Sequence, residues 1–151
     1  MRWLQVEEPP AAAHVLVLSP GEETVAALTA FSQRREVGAG QVTAVGAFER
    51  AVVGWYDREA REYRPIRVDE QCEVLSLVGD IAVGDEGPAP HLHAVLGLRD
   101  GTTRGGHLLE GWVWPTVELV LRSSPATLRK TYRPEAGLAL IDLAHRESGA
   151  G

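Results

Sequence analysis

With 151 residues, of which 44% are hydrophobic and 24% charged, the chain has material for one core and too little for a second independent domain. A formal net charge of −6 argues against autonomous, tight binding to nucleic acid, which calls for a basic face, and arginine pairs such as Arg34 and Arg35 stand isolated rather than in a stripe. No run approaches the roughly 20 apolar residues of a membrane span, and the first eight residues lack the apolar stretch of a signal peptide, so the expected location is the cytoplasm, with no membrane partner.

Residues 14–18 form a short apolar run closed by Ser19, Pro20 and Gly21, which reads as a strand and a turn. The period then changes. Val25, Leu28 and Phe31 recur every three residues, Glu22 and Glu23 fall in the first turn, and Arg34 and Arg35 fall in the last. The spacing and the charges, which complement the helix dipole, predict a helix over 22–35 that Gly38 stops. From there the pattern is strand-like, with Val-rich and aromatic runs at 41–56, 73–83, 91–98, 107–113 and 117–121, and weaker ones at 127–132 and 138–143. The single cysteine, Cys72, excludes an intrachain disulfide and a cysteine-based zinc framework, and reads as a buried small hydrophobe. Turn signals separate the runs at 84–88, at Asp100-Gly101, at Gly105-Gly106 and at Pro134. Connections this short favour antiparallel pairing. The expected fold is α+β, a mainly antiparallel sheet packed with one principal helix, in a single domain over 1–144 with a flexible tail at 145–151.

Three of the five histidines, His91, His93 and His107, fall within seventeen residues. On a strand His91 and His93 share a face while Leu92 takes the other. If the chain reverses about Asp100-Gly101, residues whose numbers sum to about 200 lie opposite each other, and His107 arrives beside His93. Three neutral imidazoles suit Zn²⁺ at roughly 2.0 to 2.1 Å, and with no fourth ligand evident they leave a position open to water, a carboxylate or a partner chain. A His-x-His pair facing a third histidine across a glycine-rich turn has little packing rationale. His14 and His145 lack such company and read as ordinary residues.

Other constellations carry less. Gly38-Ala39-Gly40 follows a helix and precedes a strand, the reverse of a dinucleotide fingerprint, and no Gly-Lys-Ser or Gly-Lys-Thr occurs. Ser19, Ser76 and Ser124 lack a Gly-x-Ser-x-Gly context, so no catalytic nucleophile is assigned. Asp80, Asp85 and Glu86 flank a Gly and Pro turn and could meet a cation, but turn chemistry alone accounts for them. Glu110 is the strand carboxylate nearest His107 in sequence; a simple solvent-facing role is the leading reading, with orienting a histidine or acting as a base as the alternative.

Several blocks together resemble a known family: Ser19-Pro20-Gly21-Glu22, Thr43-Ala44-Val45-Gly46-Ala47-Phe48, Glu73-Val74-Leu75-Ser76-Leu77-Val78-Gly79, His91-Leu92-His93, Gly105-Gly106-His107-Leu108 and Thr116-Val117-Glu118. Their order and spacing resemble the plant and prokaryote conserved (PPC) domain, in its stand-alone prokaryotic form. The resemblance implies an α+β fold with a mainly antiparallel sheet, assembly as a homotrimer, and a metal, most often taken to be zinc, at His91, His93 and His107. The chain departs from the plant pattern in lacking an Arg-Gly-Arg-Pro AT-hook and in carrying Gln71-Cys72 before Glu73, which undercuts a transfer of DNA binding. The expected function is a trimeric metal-binding protein that takes a small-molecule ligand or supports metal-assisted hydrolysis. The alternative is a DNA-binding or regulatory protein-interaction module without an AT-hook.

Overall fold

A computed structural model describes residues 2–5 and 12–143. The expected tail at 145–151, with His145, lies outside the described residues.

The helix α1 (Thr24–Arg34) starts two residues later than the charge pattern suggests, because Glu23 is its N-cap rather than part of its first turn. The Glu23 carboxylate accepts from the Val25 and Ala26 N–H groups at 3.1 and 2.7 Å, meeting two of the unpaired donors that open every helix. It also accepts from Gly111 N–H at 2.9 Å, which ties the cap to the sheet. Glu22 instead caps the turn before the helix, accepting from Ser19 N–H. Just past the C-cap Arg35, Glu36 takes the left-handed conformation (φ 51°) and its N–H donates to Gln33, so Gly38 is not what stops the helix. Leu28 and Phe31 are buried from α1 into the core.

Among the described residues the remaining elements are nine strands in one sheet: β1 (Arg2–Gln5), β2 (Ala12–Leu18), β3 (Ala39–Asp57), β4 (Glu62–Val68), β5 (Cys72–Gly84), β6 (Gly87–Gly97), β7 (Thr103–Ser123), β8 (Arg129–Arg133) and β9 (Leu138–Asp142). All pairings are antiparallel except one, a single parallel pair between β5 and β8 at Val83 and Arg129. β3 pairs with β5, β5 with β6, β6 with β7 and β7 back with β3, so the central pairing runs in a closed circuit. Two strands this long follow several neighbours only by bending. Register shifts between Ala44 and Gly46, Gly46 and Phe48, and Val52 and Val53 allow it, as β-bulges do.

Two differences from the sequence pattern matter for the site. Gly105-Gly106 is not a turn but lies inside β7, which runs unbroken where two strands were expected. β4 was not expected at all: its residues are mostly polar and exposed, with Pro65 inside, the pattern of an edge strand protected against further pairing. Leu16, Leu77, Ile81, Leu92, Leu96, Leu119 and Leu121 fill the core with Phe31 and Phe48, each side chain contributing about 1.5–3 kcal/mol by leaving water. No helix of the described residues is long and apolar enough to cross a membrane.

Candidate metal centre

The β6–β7 hairpin brings the histidines together through its turn. Asp100 accepts from Thr102 through both its N–H (2.9 Å) and its hydroxyl (2.6 Å), Leu98 N–H donates to Thr102 at 2.8 Å, and Gly101 takes φ 81°. A reversal this tight fixes the register, and His93 lies opposite His107. Alternation sends Leu92 and Ala94 into the core and leaves His91 and His93 on the outer face. Two glycines permit the close packing on either flank. A Cβ on Gly106 would run into the carbonyl oxygen of Gly54, which pairs with His107, and a Cβ on Gly79 would run into the carbonyl oxygen of His91.

The ring centroids lie 5.1 Å apart for His91 and His93, 5.2 Å for His91 and His107, and 5.5 Å for His93 and His107. One nitrogen from each ring lies within 4.8 Å of the others. Tetrahedral donors on zinc stand about 3.3 Å apart, a spacing close to that of these nitrogens. Among the described residues no other group of three or more His, Cys, Asp or Glu side chains converges in this way. His107 Nδ1 is buried with no hydrogen-bond partner, a costly state for a polar atom that a bound cation would relieve.

Burial pushes His107 down to about 4, assisted by His91, His93 and Lys130, and burial together with His91 lowers His93. Both imidazoles are therefore neutral at physiological pH, the form a metal requires. The Tyr63 ring stacks on His107 at 4.5 Å and is itself met edge-on by Tyr56, forming one wall of the site. On the other side Asp80, the cross-strand partner of His91, places Oδ2 3.4 Å from His91 Nδ1. Lys130 Nζ lies 3.3 Å from Asp80 Oδ1, but off the line of a hydrogen bond.

Tyr63, Asp80 and Lys130 did not emerge from the sequence as parts of this site. Asp80 left a usable signal: a reversal about Asp85-Glu86 pairs residues whose numbers sum to 171, Asp80 with His91 among them. Tyr63 sits on the unexpected β4, and Lys130 comes from β8, remote in sequence. Glu110, the carboxylate singled out beside His107, is exposed on β7 opposite Val52. Cys72 is buried as expected, and burial, with Glu70 and Glu73 nearby, raises its thiol to about 11. It lines a surface groove of about 520 Å³ with Glu70, Leu98 and Arg99, at the far end of β6 from the histidines. His14 is buried edge-on against Phe31 at 5.3 Å, a core residue.

Residues 5–125 match the profile of the Plants and Prokaryotes Conserved (PCC) domain, the PPC domain under its other abbreviation. The chain belongs to this family. A metal-containing protein from Archaeoglobus fulgidus resembles this PPC domain with 32% identity over 85% of this chain and 91% of its own, at a TM-score of 0.80. A Bacteroides thetaiotaomicron protein, described provisionally as DNA-binding, shares the fold at a TM-score of 0.84 and 24% identity, over 94% of this chain and 98% of its own. A bifunctional protein, GlmU, of Synechococcus sp. is 29% identical over 85% of this chain, which spans only 20% of that protein's length. The PPC fold found here is the expected one, a mainly antiparallel sheet with one helix.

Proposed function

We propose that this PPC domain is a metal-binding protein in which His91, His93 and His107 hold one divalent metal, best matched by Zn²⁺, with an open position for a small ligand, in a homotrimer. The observation that carries this reading is the convergence of three imidazole nitrogens within 4.8 Å on one sheet face. The all-nitrogen donor set, the neutral state of His93 and His107 and the unpartnered His107 Nδ1 support it. The metal-containing Archaeoglobus relative, the nearest in identity of those described above, is consistent with it. A divalent metal held by three neutral ligands supplies a Lewis acid open to a small anion or to water, the arrangement used in metal-assisted hydrolysis. The chain's part is to present the imidazoles neutral, wall the site with Tyr63 and set Asp80 beside His91 to orient its ring. Glu110, exposed on β7 three residues beyond His107, stays a candidate base.

Metal content per chain, measured on untagged protein, tests the reading. About one metal per chain is expected in the wild type and none in His93→Ala; metal-free protein in both, unchanged by added Zn²⁺, would sink it.

A DNA-binding or regulatory interaction role is the second reading, favoured by the provisional description of the Bacteroides structure and opposed by the net charge of −6. It predicts a duplex DNA mobility shift that weakens as salt rises; no shift at low salt would remove it.

A further inference from the structure

We infer that Lys130 makes the histidine centre a receptor for small carboxylates, its ammonium forming a second cationic contact for the anion that fills the metal's open position. The inference rests on the metal reading above. Three observations support it. The first is charge balance. Neutral imidazoles leave a divalent charge uncompensated in its own ligand shell, and among the described residues the one carboxylate in contact with the triad, Asp80, is shared with Lys130. The centre is thus locally positive within an acidic chain, which favours an anionic ligand.

The second is Lys130 itself. It is the only lysine, every other basic residue of the fifteen being arginine, and its side chain is only 12% exposed. An ammonium withdrawn from water needs partners for three N–H donors. Among the described residues it has one ion pair, at 3.3 Å to Asp80 Oδ1, and that contact lacks hydrogen-bond alignment. The donors are therefore available to an incoming oxygen. The third is position: Asp80 touches both His91, at 3.4 Å, and Lys130, at 3.3 Å, so the ammonium stands one carboxylate away from the triad. One compact ammonium beside one metal suits the two oxygens and single charge of a carboxylate. A phosphoryl group carries more charge and more oxygens and usually draws further donors beside a lysine, such as arginine forks or rows of backbone N–H groups, and the contacts at this centre include neither.

Protein loaded with Co²⁺, whose visible absorption reports the metal's ligands, is titrated with acetate and separately with inorganic phosphate, in wild type and Lys130→Gln. Acetate is expected to perturb the bands saturably in wild type. Lys130→Gln is expected to keep one Co²⁺ per chain and the wild-type melting temperature within a few degrees, while acetate affinity falls about tenfold or more, the scale of a charge-assisted hydrogen bond. Unchanged acetate affinity at full metal occupancy overturns the inference and leaves the metal reading intact. Tighter binding of phosphate than acetate, with the same dependence on Lys130, overturns the carboxylate class. Wild-type protein that takes up no Co²⁺ overturns both readings together. Should Lys130→Gln fail to fold because Asp80 is left unpaired, the Asp80→Asn/Lys130→Gln double variant removes both charges and is held to the same acetate criterion.

Discussion

His107 is the most constrained of the three histidines, stacked on Tyr63, flanked by two imidazoles and buried with an unpartnered Nδ1. In metal-free protein its ring takes a proton only near pH 4, against about 6.5 in an unfolded chain. Because the folded value is depressed, its contribution to stability is complete above pH 6.5 and drains away as the pH falls toward 4. Metal-free protein should thus lose urea resistance across that window, and His107→Asn should flatten the loss; NMR titration of the imidazole protons checks the assignment directly. That His93 and His107 meet was legible in the sequence, since a two-residue alternation and a tight Asp100-Gly101 reversal are local facts. Asp80 was equally accessible through the second hairpin, but a carboxylate near a glycine turn has a sufficient local explanation. Tyr63 and Lys130 left no such trace, because nothing local in a polar strand or a lone lysine says which distant strand it will meet.

The elements that deliver these residues depend on close approaches a side chain would block. Gly106→Ala places a methyl against the Gly54 carbonyl and should cost about 1–3 kcal/mol in urea denaturation, with metal content falling as β7 is pushed off β3 beside His107. A metal content unaltered by Gly106→Ala would show that the flank tolerates the intrusion. At the helix, Glu23 serves both as N-cap and as the acceptor for Gly111 N–H. Glu23→Ala should lower stability by about 2 kcal/mol or more, beyond the roughly 1 kcal/mol of an ordinary cap, because it also strands a sheet donor; thermal melts compare it with a cap-only change. The helix was legible from its three-residue spacing, whereas its exact start was not, since Glu22 and Glu23 satisfy the dipole argument equally and only tertiary contact with β7 selects between them. The start of β7 was placed after Gly105-Gly106 because that pair looks like punctuation in sequence. In the fold that pair is where two backbones cross closely.

At the scale of the whole molecule, Val45, Leu75 and Val78 stand 56%, 56% and 50% exposed and share one surface with Thr43, Ser76 and Val120. Contiguous apolar exposure of this kind marks an interaction surface and supports the proposed trimer. Light scattering should return three times the 16.3 kDa chain mass, and Val45→Glu should drive the protein toward monomer without changing its circular dichroism. A wild-type monomer would refute the assembly. The α+β class was legible because strand runs and the single helical period are written along the chain. The closed circuit of β3, β5, β6 and β7 was not, since it depends on which long strands bend.

The two parts of the centre are attached to the fold very differently. The histidines belong to one hairpin inside the closed circuit, whereas Lys130 rides on β8 in the β8–β9 ribbon, joined to β5 by a single residue pair and the Val83 N–H bond to Leu128, and otherwise held by Leu128 N–H on Gly38 and by Tyr56 and Arg61 on the turn between the two strands. On the reading proposed above, what the centre would grip and what it would admit are set by different parts of the chain, so substitutions in the outlying ribbon should alter the choice of guest while leaving the histidine cradle as it is.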